Sequence, residues 1–280
     1  YLLMTLTELF QSLSGQLQEL YSGQESESIV IWLFEEYMGK SRTDLLKNTV
    51  LDHVPVELEN AFKELLTGKP IQYVTGKAPF YGREFLVNAD VLIPRNETEE
   101  LVHLIIKENQ NSHMRILDIG TGSGCIPITL ALEMKQPEVY SLDISELALD
   151  VASQNASSLG ANVVFQKCDI LNEQIPFENL DIIVSNPPYV RISEKELMHD
   201  NVLKYEPHLA LFVNDEDPLL FYRHIIQKAR QVLNPNGRLY YEINEALGIA
   251  VSNLLKENGF KNIRIIKDLN NRDRIVSAVL

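Results

Sequence analysis

The feature that most constrains this 280-residue chain is a regular alternation that occupies its last two thirds. Seven short apolar runs, at 114–119, 138–143, 162–168, 180–185, 238–243, 262–268 and 274–280, are separated by longer stretches. Four of those stretches, 124–135, 145–158, 217–233 and 244–258, carry helical periodicity. Strands that alternate with helices form a mostly parallel, doubly wound sheet with helices on both faces, because each crossover must return the chain before the next strand can pair. The last two runs are joined only by Asn270-Asn271-Arg272, too short for a crossover helix, so they are expected to pair antiparallel.

Residues 1–70 have another texture and read as helices only. Thr5-Leu6-Thr7-Glu8 fits a capping box ahead of Leu6, Leu9, Phe10, Leu13 and Leu17. A second helix is expected from Glu25 to Met38, stopped by Gly39, with Trp32 in the bundle core. Ser41-Arg42-Thr43-Asp44 begins a short third, and Pro55 to Leu66 reads as a fourth, with Gly68 and Pro70 beyond it. Ile71-Gln72-Tyr73-Val74 and then Phe80 to Val87 alternate in strand fashion around Gly76 and Gly82, which predicts a hairpin linker over 71–90. Val91 to Arg95 reads as a strand-like approach to a helix ending near Glu108. The expected organisation is therefore a helical domain at 1–70, the linker at 71–90 and an α/β domain at 91–280.

Charge narrows the partner. The net charge is −14, and the first 70 residues hold eleven Asp and Glu against five Lys and Arg. Nucleic-acid binding draws most of its affinity from cations that neutralise phosphates, and this chain has no basic run to supply them. A protein or small-molecule partner is favoured. No apolar stretch approaches a membrane span, and residues 1–20 lack the basic start and apolar core of a signal peptide. Cys125 and Cys168 have no metal-ligand spacing, nor do the six histidines, so no metal is expected and the cysteines read as free thiols of a reducing cytoplasm. A cytoplasmic monomer is the expectation.

Two loops carry the chemistry. Asp118-Ile119-Gly120-Thr121-Gly122-Ser123-Gly124 follows the first core strand and opens a helix, where glycines bring backbone N–H groups close to a ligand. A dinucleotide fingerprint would need glycine at Cys125, and a P-loop would need a lysine that is absent. Leu142-Asp143 ends the next strand, where a carboxylate accepts from two ribose hydroxyls. Cys168-Asp169-Ile170 ends the third, placed to bracket an adenine. One strand-end Asp is more commonly a turn cap; three at successive strand ends are read together as a nucleoside site without phosphates. This resembles the S-adenosyl-L-methionine site of class I methyltransferases, with their Rossmann-like seven-stranded sheet.

Asn186-Pro187-Pro188-Tyr189 follows the fourth strand. Each proline excludes the helical region for the residue before it and offers no N–H, so Asn186 and Pro187 are held extended. The Asn186 side-chain oxygen and the Pro187 carbonyl then suit the two hydrogens of a planar –NH2 group, and Tyr189 suits a ring that covers it. Such a nitrogen is a poor nucleophile because its lone pair is delocalised; accepting both hydrogens enriches it and fixes its direction. The tetrad alone does not choose among adenine, cytosine, guanine and glutamine amino groups.

The order of the helical region, Pro70-Ile71-Gln72-Tyr73-Val74-Thr75-Gly76, Phe80-Tyr81-Gly82-Arg83-Glu84-Phe85, Val91-Leu92-Ile93-Pro94-Arg95, Glu97-Thr98-Glu99, the glycine loop and the tetrad is similar to the PrmC/HemK family from end to end. The resemblance implies transfer of a methyl group from S-adenosyl-L-methionine to the glutamine of the GGQ motif in peptide chain release factors. It implies that Asp118, Gly120, Thr121, Gly122, Ser123, Gly124, Asp143, Asp169, Ile170 and Asn186 hold the cofactor. Asn186, Pro187, Pro188 and Tyr189 grip the amide; Asn186, Pro187 and Tyr189 act at the reaction itself. Arg95, Glu97 and Thr98 shape the pocket wall, and the helical domain contacts the release factor. Taken without the family, Arg95 is a surface partner of Glu97 or Glu99, and Tyr205-Glu206-Pro207 a lid loop. Three positions depart from the family pattern: Asn96 stands for a proline, and after Glu242-Ile243 Asn244 stands for a glycine and Ala246 for a glutamine. A ribosomal-protein glutamine methyltransferase shares the loop and tetrad, and a DNA or RNA amine methyltransferase is the third alternative.

Overall fold

The computed structural model describes residues 4–280; residues 1–3, which open the expected helical region, lie outside the described residues. The chain divides into two compact units. One runs up to Gly76 and adds His199–Tyr205; the other comprises Lys77–Met198 and Glu206–Leu280.

The helical unit contains α1 (Leu6–Leu17), α2 (Gly23–Met38), a 3-10 turn at Arg42–Lys47, α3 (Val56–Leu65) and α4 (Ile71–Thr75). The capping box forms: Thr5 N–H donates to Glu8 Oε2 at 2.7 Å and Glu8 N–H to Thr5 Oγ1 at 3.2 Å. Gly39 ends α2 at φ 62°, in the left-handed region where a Cβ would be strained. Leu6, Leu17, Leu33, Phe34 and Leu65 are fully buried together, with Trp32 partly buried against them. The later helix α8 (Asp200–Tyr205) belongs to this unit, and its Tyr205 hydroxyl donates to the Thr67 carbonyl at 3.1 Å.

Ile71 to Val74 is a helix, not the expected strand. Pro70 supplies a φ of −56° at its N-cap, Thr75 Oγ1 donates back to the Ile71 carbonyl at 3.0 Å, and Gly76 closes the turn at φ 73°. Four residues are too few for a period of two to be told from 3.6. The hairpin lies a few residues later. Its strands β1 (Lys77–Phe80) and β2 (Arg83–Leu86) are joined by Tyr81-Gly82, both at positive φ, as a two-residue turn requires. Residues 91–95 join no sheet, since Pro94 lacks the N–H a ladder needs.

The second unit is built on a seven-stranded sheet. Its strands are β3 (Arg115–Ile119), β4 (Glu138–Asp143), β5 (Val163–Lys167), β6 (Leu180–Ser185), β9 (Leu233–Glu242), β10 (Lys261–Lys267) and β11 (Asp273–Val279), in the order β10-β11-β9-β6-β3-β4-β5. The five strands from β9 to β5 are parallel; β11 runs antiparallel to β9 and β10 to β11. This is the class I methyltransferase sheet. Successive residues face opposite ways, so Leu117, Ile183 and Tyr241 pack with α10 (Leu220–Val232) and α11 (Gly248–Glu257). Ile116, Ile182 and Tyr240 pack with α5 (Asn96–Glu108) and α6 (Cys125–Glu133) on the other face. The sheet's helical cover is completed by α7 (Glu146–Leu159). A short parallel pair, β7 (Val190–Arg191) with β8 (Phe212–Val213), follows the tetrad, and α9 (His208–Leu211) precedes β8. Register pairs Ile119 with both Leu142 and Ser185, and Ser185 with Tyr241, so four strands end level with one another. β9 starts five residues before the expected boundary, but only Leu233 pairs with β6 before Arg238; Asn234-Pro235-Asn236-Gly237 bulge out of the ladder, with Asn236 at φ 64°.

Candidate active site

A cavity of about 350 Å³ opens over those level strand ends. The glycine loop forms its floor. Gly120 and Thr121 N–H groups both donate to the Leu142 carbonyl, at 2.8 and 3.2 Å, and Gly120 and Gly122 sit at φ 83° and 53°. Gly120, Thr121, Gly122 and Ser123 line the cavity. Gly124, expected with them, does not: a Cβ there would lie 2.8 Å from Ile128 Cδ1 and 3.0 Å from Ala152 Cβ. Its smallness lets α6 and α7 approach each other.

Asp143 lines the cavity beside the loop. Its Oδ2 accepts from Gly122 N–H at 3.0 Å and its Oδ1 from Ser145 N–H at 2.9 Å, leaving each oxygen a second lone pair for a ligand hydroxyl. Burial raises its proton affinity in spite of those donors. Asp169 and Ile170 line the adjoining wall. Asp169 is held below the usual carboxylate range, chiefly by the Asn172 amide, which donates to Oδ2 at 2.7 Å. The Ile170 carbonyl accepts from the ammonium of Lys228, a buried lysine that also reaches the Glu173 carbonyl. Sequence reasoning passed over Lys228. Its spacing from Ile225 and Val232 on α10, three and four residues, was the available sign that it shares the core face.

Asp118, also expected at the ligand, lies fully buried beneath the loop and outside the cavity lining. Its Oδ2 accepts from Ser141 Oγ at 2.8 Å, whereas its Oδ1, with Thr121 Oγ1 and Ser123 Oγ, is a buried polar atom without a hydrogen bond of good geometry, although the Thr121 hydroxyl is near enough to lower its proton affinity. Burial pushes its pKa up to about 7. A buried carboxylate beneath the loop fits a ligand with a positively charged end.

Across the cavity stand Asn186, Pro187 and Pro188, from the turn after β6. Asn186 Nδ2 donates to Thr98 Oγ1 at 3.5 Å, and Thr98 Oγ1 donates in turn to Glu242 Oε2 at 2.7 Å. Neither Asn186 Oδ1 nor the Pro187 carbonyl has a hydrogen-bond partner among the described residues. Tyr189, expected to cover the acceptor, is not part of the lining; its hydroxyl donates to Glu242 Oε1 at 3.1 Å, and its ring packs toward the core. Burial keeps the Tyr189 phenol protonated far above neutral pH. Glu242 is 1% exposed, and its proton affinity is raised by burial against the opposing pull of Thr98, Arg274 and Tyr189.

Of the three residues expected at the wall, Arg95, which caps α5, and Thr98 line the cavity and Glu97 does not. Arg95 pairs with Glu206 at 2.6 Å, not with Glu97 or Glu99; Glu99 instead accepts from Tyr81 N–H at 2.8 Å. Glu206 also accepts from Ile93 N–H at 3.2 Å, so the expected lid residue is a buried anchor. Nothing local to Arg95 pointed to a partner 111 residues away. Asn96 is exposed at the first position of α5, where the N–H has no helical partner and a proline would add only a preset φ. Asn244 closes its own turn by accepting from Ala246 N–H at 3.0 Å. Among the described residues no His, Cys, Asp and Glu cluster could hold a metal, and both cysteines are buried and free.

Comparison with known proteins accords with this geometry. A methyltransferase domain family matches residues 110–269. The release factor glutamine methyltransferase of Flavobacterium psychrophilum is 44% identical, over 97% of this chain and 96% of its own length. That of Bacteroides thetaiotaomicron is 45% identical, over 94% and 95%. Among solved structures, a methyltransferase from Pyrococcus furiosus superposes with a TM-score of 0.53 at 18% identity, over 79% of this chain and 98% of that one, a likeness of fold.

Proposed function

The chain belongs to the release factor glutamine methyltransferase family, and from that premise we propose that it methylates the side-chain nitrogen of the GGQ glutamine of peptide chain release factors. The methyl donor is S-adenosyl-L-methionine, which supplies an electrophilic methyl group on a sulfonium. Gly120 to Ser123 let the backbone approach it closely, Asp143 accepts from its ribose hydroxyls, and Asp169 with the Ile170 backbone brackets its adenine. Asp118, with its unpaired oxygen, supplies negative charge under the loop for the cationic amino-acid end.

One observation carries the acceptor assignment. Asn186 Oδ1 and the Pro187 carbonyl are two unoccupied acceptors on a rigid turn, in the same cavity as the glycine loop and one strand away from it. A carboxamide –NH2 has two donors to fill them. Its plane is then set by two hydrogen bonds, and its nitrogen lone pair is directed at the methyl group. Holding two reactants in line removes a large part of a bimolecular barrier, on the order of 7–11 kcal/mol at best. The nitrogen's proton leaves after transfer, so no strong base is needed in the cavity.

The test is to incubate the protein with methyl-labelled cofactor and, separately, purified release factors, ribosomal proteins, DNA and RNA. Label confined to the release factor, on the glutamine of its GGQ motif, is the expected outcome. Label on a ribosomal protein or a nucleic acid in its place would overturn the assignment.

A further inference from the structure

We infer that Glu242 is the positioning residue that turns the Asn186 carboxamide the right way round, through the hydroxyl of Thr98, while bracing the other end of the tetrad through Tyr189. The inference rests on the amide-acceptor reading of the site and adds to it a residue that touches neither cofactor nor acceptor.

The problem it solves is chemical. A carboxamide has an acceptor end and a donor end of nearly the same size, so shape alone does not decide which end faces a cavity. An acceptor –NH2 is held only when Oδ1 faces it. With Nδ2 in that place, two donors would oppose each other and the nucleophile would lose one of its two hydrogen bonds.

The hydrogen bonds around Glu242 settle the orientation step by step. Burial raises the proton affinity of Glu242, while the two hydroxyls and the Arg274 cation favour its ionised form. In that form it only accepts, so both hydroxyls that reach it donate: Thr98 to Oε2 at 2.7 Å and Tyr189 to Oε1 at 3.1 Å. A hydroxyl has one proton. With that proton committed to Glu242, Thr98 Oγ1 presents only lone pairs to Asn186, and the sole Asn186 group that can meet them is Nδ2, at 3.5 Å. The amide oxygen is thereby left for the cavity. Flipping Asn186 would set its oxygen against the Thr98 lone pairs, in a buried place where an unsatisfied polar contact costs about 1–3 kcal/mol.

Topology explains why Glu242 can do this. It ends β9, which pairs with β6 in the register Ser185 opposite Tyr241, so it stands beside the first residue of the tetrad. Thr98 reaches the same point from the first turn of α5. The Tyr222 hydroxyl donates to the Glu242 carbonyl at 3.2 Å, which holds the backbone in place while both side-chain oxygens stay engaged.

The test uses the full-length protein with labelled S-adenosyl-L-methionine and a purified release factor. Glu242→Gln keeps the shape, but its amide nitrogen can face Thr98, releasing the hydroxyl proton so that either Asn186 orientation is satisfied. The expected result is a fall in kcat of tenfold or more, with cofactor Kd within about twofold of the wild-type value. Thr98→Val, which keeps the shape and removes the hydroxyl, is expected to show the same split, and Thr98→Ser to recover most of what Thr98→Val loses. Combining Glu242→Gln with Thr98→Val should cost little beyond either change alone, because both break one chain. If Glu242→Gln does not fold, the comparison of Thr98→Val with Thr98→Ser decides. Wild-type kcat in Thr98→Val, or losses that multiply in the double variant, would overturn the inference. Asn186→Ala separates the two levels: if it is inactive while Glu242→Gln and Thr98→Val turn over normally, only the positioning role fails. If Asn186→Ala is itself active, the reading of the site fails.

Discussion

The guanidinium of Arg95 and the carboxylate of Glu206 meet at 2.6 Å across 111 residues of sequence, and Glu206 also accepts from the Ile93 N–H. One buried carboxylate thus fastens the chain before α5, which walls the cavity, to the chain entering α9.

Removing that fastening should affect the fold and the acceptor side together. Glu206→Ala leaves the Ile93 N–H unsatisfied and Arg95 unpaired, a loss of about 1–3 kcal/mol. Denaturant unfolding should show a lower midpoint with an unchanged slope, and KM for the methyl acceptor should rise. An unchanged midpoint would mean that the pair is incidental.

The two halves of the cavity should separate in binding and turnover. Asp143→Ala removes the proposed ribose acceptor and is expected to weaken cofactor binding by at least about tenfold in calorimetry. Asn186→Ala should leave that affinity within a few-fold and reduce turnover by more than about a hundredfold. Identical effects from the two would argue against a division between cofactor and acceptor sides.

Asp118 predicts a pH dependence of the free protein. Its pKa is raised from 3.8 in an unperturbed chain to about 7 in the fold. Between those values the folded state binds more protons than the unfolded state, so this group's contribution to stability falls as pH rises from about 4 to about 7 and then levels off. Asp118→Asn removes the penalty. Its thermal midpoint should exceed that of the wild type at pH 8, the difference should shrink toward pH 5, and its cofactor affinity should be weaker at pH 8. A constant difference across the range would count against a protonatable Asp118.

The glycine loop should divide by cause. Gly124→Ala meets Ile128 and Ala152 at 2.8 and 3.0 Å and takes a side chain to φ 82°, so it should destabilise by about 2–4 kcal/mol. Gly122→Ala meets no atom within 4 Å at φ 53°, so only the left-handed backbone term of about 1–2 kcal/mol applies. Its main effect should fall on cofactor affinity. Equal unfolding midpoints for the two would refute the packing role of Gly124.

Much of this was legible along the chain because it depends on local chemistry. The seven strand positions, the antiparallel last pair, the Thr5 capping box and the Gly39 stop all follow from side-chain period and backbone preference over a few residues. So do the strand-end places of Asp143, Asp169 and Asn186. The error at Ile71 to Val74 has a local cause as well: the run was too short to show its period.

What no local pattern contained was the set of long-range pairings. Glu206 for Arg95, Glu242 for Thr98 and Tyr189, the Lys228 clamp on Ile170, and the withdrawal of Asp118, Gly124 and Tyr189 from the cavity surface were settled by packing. The backbone's preferences act over one turn or one strand and can be read in order. A buried charge must find whatever partner the assembled sheet brings within about 3 Å, and that partner's position in the chain is set by strand order and register.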